Sequence, residues 1–164
     1  MKKRNFITGA SSLIFTGLYP VVSMAENAST YFSLIWRGLD VGFSNIKLKR
    51  SGKKITANIE VKISVKVLNF DAFSYNLKNE EIWEAGVLTK VKSKTIIGKK
   101  SEFVKGERKN KGFQIEGSKF SGLVKGNPAT TSYFSPDFLK RKIWISTQDG
   151  DPLSVNANKI GPDM

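Results

Sequence analysis

The chain has 164 residues, 40% of them apolar, which is enough for one domain with a hydrophobic core and too few for two. Lys and Arg number 27 against 14 Asp and Glu, a net charge of +13. Cysteine and histidine are both absent, which excludes disulfides, thiolate or imidazole metal sites, a lipobox lipid anchor and the commonest general base.

The first predicted element is a cleavable export signal over residues 1–25. Lys2, Lys3 and Arg4 precede a mostly apolar run from Phe6 to Val22, and Ser23-Met24-Ala25 ends it with small residues at the last and third-last positions. Cleavage is expected after Ala25, leaving residues 26–164 as a single periplasmic β domain of net charge +10. An uncleaved N-terminal anchor is the alternative. It is disfavoured because Thr8, Gly9, Ser11, Ser12, Thr16 and Gly17 interrupt the run and Pro20 ends it. The order Lys3-Arg4-Asn5-Phe6-Ile7 is compatible with either the general secretory or the twin-arginine route.

From Ile55 to Val67 the apolar residues fall on every second position: Ile55, Ala57, Ile59, Val61, Ile63, Val65 and Val67. An unbroken period of two predicts a strand with one dry face, since a helical period would scatter these side chains round the circumference. On this reading Val61→Lys unfolds the domain and Lys62→Thr is nearly silent. The same alternation predicts strands over 31–37, 43–49, 70–83, 87–97, 102–105, 113–116, 120–125 and 142–146. Turn residues separate them, including Arg37-Gly38, Ser51-Gly52-Lys53, Ala85-Gly86, Gly98-Lys99 and Asp149-Gly150-Asp151. Connections this short make neighbouring strands antiparallel. The fold class is therefore all-β: an antiparallel meander forming a curved sheet or partial barrel, with a two-sheet sandwich as the alternative. One short helical turn is expected near 135–139, with Ser135 as cap and Pro136 in its first position.

Without His or Cys, a nucleophile would need a serine or threonine activated by lysine or a carboxylate, and no such constellation stands out. The Ser51 to Lys54 spacing lies in a turn, whereas a serine-lysine hydrolase needs a helix there. Glu81 shares a strand face with Phe73, Tyr75, Leu77 and Trp83, while Glu80 and Glu84 take the opposite face. Glu81 could serve acid-base chemistry or bind a cation, but a structural glutamate is the preferred reading. Asp149 and Asp151 fall far short of a calcium site and read as a hairpin turn. No metal and no cofactor are expected. Aromatics among lysines could stack bases, but an exported chain makes nucleic acid an unexpected partner. The lysines alternate with apolar residues, as on solvated strand faces, although they could also attract an anionic envelope component.

The run Tyr75 to Leu88, with Glu81, Trp83, Gly86 and Leu88, resembles the Glu-x-Trp-x-x-Gly-x-Leu stretch of exported bacterial proteins grouped as domain of unknown function 6134. Thr147 to Leu153 resembles that group's Thr-x-x-Gly-x-x-Leu stretch, and Phe32 to Gly42 its first hairpin. The resemblance implies a periplasmic β protein and supplies no catalytic residue. It also implies that the chain stops before the family's final strands, which would leave a sheet edge bare.

Function is thus expected to be non-catalytic. The leading expectation is a periplasmic protein holding a lipid or other apolar ligand on a concave sheet face, with Tyr75, Glu81, Trp83 and Trp144 as its ligand-facing residues. The alternative is an envelope structural or assembly module acting through a basic surface or a sheet edge. Oligomeric state is not legible in the sequence.

Overall fold

The computed structural model describes residues 27–67, 70–135 and 137–157; the expected signal segment, Pro136 and residues 158–164 lie outside the described residues. Eight strands follow one another as antiparallel neighbours: β1 (Asn27–Trp36), β2 (Leu39–Ser51), β3 (Lys54–Val67), β4 (Phe70–Glu84), β5 (Val87–Ile97), β6 (Lys100–Lys109), β7 (Gly112–Gly117) and β8 (Ser121–Val124). The meander expectation holds. Among the described residues the sheet ends at β1 on one side and β8 on the other, so it does not close into a barrel.

The period of two in β3 works as predicted. Ala57 and Ile59 are buried, with Ile55, Val61 and Ile63 half-buried beside them, while Lys54, Asn58 and Lys62 are exposed on the wet face. Strand β6 is longer than predicted because Gly106 interrupts its apolar pattern without interrupting its pairing. A side chain at Gly106 would collide with the rings and methyls of Phe113 and Val91, so the core needs the space that glycine leaves.

A second layer comes from the C-terminal quarter: β9 (Ala129–Thr130), β10 (Ile143–Ile145) and β11 (Pro152–Ser154), ordered β11-β10-β9. Strands β10 and β11 form a hairpin round the predicted Asp149-Gly150-Asp151 turn. The pair β9 and β10 is parallel, contrary to the all-antiparallel expectation. Twelve residues separate them, 131–142, which is the length a parallel return needs.

That crossover contains the predicted helical turn, corrected in place and type: it is a 3-10 turn over Phe138–Lys140. Ser135 does not head it as a side-chain cap; its carbonyl accepts from Phe138 N at 3.0 Å. Asp137 sits at the cap position but spends its carboxylate on Lys140 at 3.0 Å.

The small layer packs on one end of the large sheet's core face. There Trp83, Leu88, Val91, Val104, Phe113, Ile115 and Val124 meet Ala129 and Ile145, with Phe134, Phe138 and Trp144 filling in around them. Arg108 laces this end shut, donating Nε to Leu88 O (3.2 Å), Nη1 to Gly126 O (2.6 Å) and Nη2 to Asn127 Oδ1 (3.0 Å). Burial lowers the pKa of its guanidinium, and nearby Arg141 adds to the shift.

Candidate functional site

Strand register sorts the core face into rows that cross the sheet. Beginning at the end that carries the Arg37-Gly38 and Gly98-Lys99 turns, one row runs Leu34, Gly42, Ile63, Tyr75 and Ile97. The next holds Phe32, Ser44, Val61, Leu77, Thr95 and Glu102. A third holds Thr30, Ile46, Ile59, Asn79, Ser93 and Val104. Beyond these come Glu81 and then Trp83, already under the second layer.

The rows change character along the sheet. At the open end Phe32 is 51% exposed and Phe73 45%, although both lie on the apolar face. At the covered end Trp83 is 2% exposed and Leu88 fully buried. Between them lies a belt that apolar alternation does not predict. Asn79, Ser93, Thr95 and Glu102 are all buried, on three adjacent strands, with Asn79 opposite Ser93 and Thr95 opposite Glu102. Asn79 Oδ1, Ser93 Oγ, Thr95 Oγ1 and Glu102 Oε2 have no protein partner among the described residues. Each such atom costs about 1–3 kcal/mol relative to a hydrogen-bonded one. The other oxygen of Glu102 pairs with Lys100.

The four sequence-predicted site residues do not gather in one place. Glu81 is fully buried and hydrogen-bonded through both oxygens: Asn79 Nδ2 donates to Oε1 at 2.7 Å and Trp83 Nε1 to Oε2 at 2.8 Å. Neither Glu81 nor Trp83 presents surface to a ligand. Trp144 belongs to the second layer, packed edge-on against Tyr133 and tilted against Phe138, and its Nε1 donates to the carbonyls of Phe138 (3.0 Å) and Arg141 (3.2 Å). Tyr75 alone lies in the half-open region. Burial raises its hydroxyl pKa, Glu102 adds to the shift, and the approach of Thr95 opposes it without reaching hydrogen-bonding geometry.

Two of the three stretches that carry the family resemblance build the covered end, while the third, Phe32 to Gly42, forms the hairpin at the open end. Glu81 and Trp83 lock to each other as i, i+2 neighbours on one face of β4, Gly86 takes a positive φ of 77° that its missing Cβ allows, and Gly86 O accepts from Arg141 Nη2 at 3.0 Å. In the later stretch Thr147 is buried and bonded to Thr131, and the carbonyl of Asp149 approaches Gly117 too closely for a side chain there. Asp149 Oδ1 accepts from Asp151 N (3.2 Å), and Asp151 pairs with Lys119 at 2.5 Å. Both carboxylates therefore have protein partners, and the Lys119 ammonium pKa is raised by its hydrogen bond to Asp151.

The wet face carries the basic charge. One cleft on it, about 390 Å³, is lined by Lys47, Lys78, Lys92 and Lys94 with Glu60 and Glu80 among them. Lys78 reaches Glu60 at 3.8 Å and Lys90 reaches Glu107 at 3.5 Å, so the lysines are partly balanced by acids on neighbouring strands. No group of three or more Asp or Glu among the described residues could hold a metal ion. A family model described as Domain of unknown function (DUF6134) matches residues 32–164. No curated protein and no solved structure matches the chain.

Proposed function

The chain belongs to the DUF6134 family, and from that premise we propose that it is a non-catalytic, exported binding protein that holds an amphipathic lipid on the open half of its core face. The observation that carries the reading is the incomplete cover: the second layer seals the Trp83 end, while Phe32 and Phe73 stay about half exposed on the same apolar face. Exposed apolar surface of this kind, continuous with a half-buried row of Leu34, Ile63, Tyr75 and Ile97, favours an apolar ligand. The ligand-facing set is thus Phe32, Phe73 and Tyr75; Glu81, Trp83 and Trp144 support the fold beside it.

Export rests on the basic, apolar and small-residue order of residues 1–25. The non-catalytic reading rests on the lack of His and Cys in the sequence and on Glu81 spending both oxygens on structural donors. Native mass spectrometry with lipid extraction, on protein purified from the periplasm of an exporting host, tests the proposal. A defined lipid that is lost in Phe73→Glu, with thermal stability kept, is the expected result. A clean unliganded mass would sink it.

A further inference from the structure

We propose that β1 pairs antiparallel with β1 of a second copy of this chain, joining two eight-stranded sheets through their long free edges. Among the described residues strand β1 is the sheet's long edge, ten residues with nine of them exposed. Its sequence, Asn27 to Trp36, contains no Asp, Glu, Lys, Arg or Pro. In a chain with 25% charged residues that is a local departure, because each of β2 to β6 carries at least three charged side chains. Free edges are normally protected by charge, proline, shortness or cover, since their bare N–H and C=O groups template another strand. The opposite edge follows that rule: β8 has four residues and is flanked by Lys119 and Lys125. The only irregularity in β1 is a register shift between Leu34 and Ile35, near its end.

Charge identifies the occupant. Two copies of the domain left after the expected cleavage, at +10 each, repel one another over most of their surfaces. The β1 edge is where they can touch without bringing like charges together, and a partner chosen by charge would find nothing on this strand to read. An antiparallel pair about a two-fold axis is also self-complementary, because keeping both core faces on one side requires paired residues of the same parity. A register centred on Phe32 sets Thr30 opposite Leu34 of the second copy and Tyr31 opposite Ser33 of the second copy. It also covers Tyr31, which is 62% exposed in the single chain. The pairing is made by backbone groups of the edge, and although Phe32 at its centre also belongs to the ligand-facing set, crosslinking and sedimentation read the pairing without reference to bound lipid.

The absence of cysteine makes the test clean. Single cysteines are introduced in turn at 29–34, with Leu123→Cys on β8 as control, and the purified protein is oxidised at increasing concentration. Only the residue on the two-fold axis lies opposite itself, within the roughly 5 Å that a disulfide needs, and each step away adds about 7 Å along the strands. One sharp maximum of intermolecular crosslinking is therefore expected, centred near Phe32. In sedimentation, Ser33→Lys, which faces Phe43 and no charge within its own chain, should weaken the dimer roughly tenfold at low salt and recover part of it at high salt. At concentrations where both are monomeric, its thermal midpoint should match that of the unaltered protein. A monomer at every concentration, uniform crosslinking along β1, or a dimer indifferent to the lysine would each overturn the proposal. So would capture of a different protein's strand by β1 while the purified chain stays monomeric.

Discussion

The two ends of the large sheet are built alike and finished differently. Each has a two-residue turn with positive φ at both positions, Arg37-Gly38 (51° and 79°) and Ala85-Gly86 (49° and 77°), the geometry that matches strand twist in a tight hairpin. At the Ala85 end the turn is tied down: Gly86 O accepts from Arg141, and the residues that follow enter a packed core. At the Arg37 end the pair beside the turn, Trp36 and Leu39, is 49% and 64% exposed, with the Arg37 guanidinium stacked 4.9 Å over the Trp36 ring. Turn chemistry therefore sets the hairpins and not the burial. What differs is whether a distant segment of chain comes back to cover them.

The largest expected effect tests that difference directly. Phe113→Ala at the covered end removes a ring with no exposed surface and should cost about 3–5 kcal/mol in urea unfolding, whereas Phe73→Ala at the open end should cost less than about 1 kcal/mol. Equal costs would mean that the open end is covered in solution. Val61→Lys falls between them, since Val61 is only half-buried, and Lys62→Thr on the wet face should change stability little.

A smaller effect is expected at Glu81→Gln. The amide turns one acceptor into a donor facing either Asn79 Nδ2 or Trp83 Nε1, and the loss should be about 1–3 kcal/mol with a shift in Trp83 fluorescence. An unchanged midpoint would show that these two hydrogen bonds contribute little to stability. If a substrate is ever found, turnover unaffected by this variant would remove Glu81 from any catalytic role.

The smallest effect concerns pH at the open end. Burial raises the Tyr75 pKa above its ordinary value of about 10, so below that pH the hydroxyl is neutral in both folded and unfolded chains and contributes no pH dependence. Above it the unfolded chain releases the proton first, and stability falls as pH rises through the folded value. Tyr75→Phe should flatten that part of the stability profile, and an identical slope in the variant would locate the dependence elsewhere.

Much of this architecture is written in short-range pattern. The dry face of β3, the five hairpin turns at 37–38, 52–53, 85–86, 98–99 and 110–111, and the inward aim of Glu81 and Trp83 all follow from period two and from turn residues, which are properties of neighbouring backbone units. The belt of Asn79, Ser93, Thr95 and Glu102 escaped the pattern because apolar alternation lapses there while the pleat continues, so polar side chains inherit buried positions. Strands β9 and β11, two and three residues long, are too short to carry any period. The sequence by itself determined an antiparallel meander and the face each strand buries, because backbone pleat and local composition suffice for those. Only the tertiary structure decided which half of that face is sealed. That choice depends on residues 129–154 folding back through a parallel pairing onto strands up to about seventy residues earlier, a contact that no local period encodes.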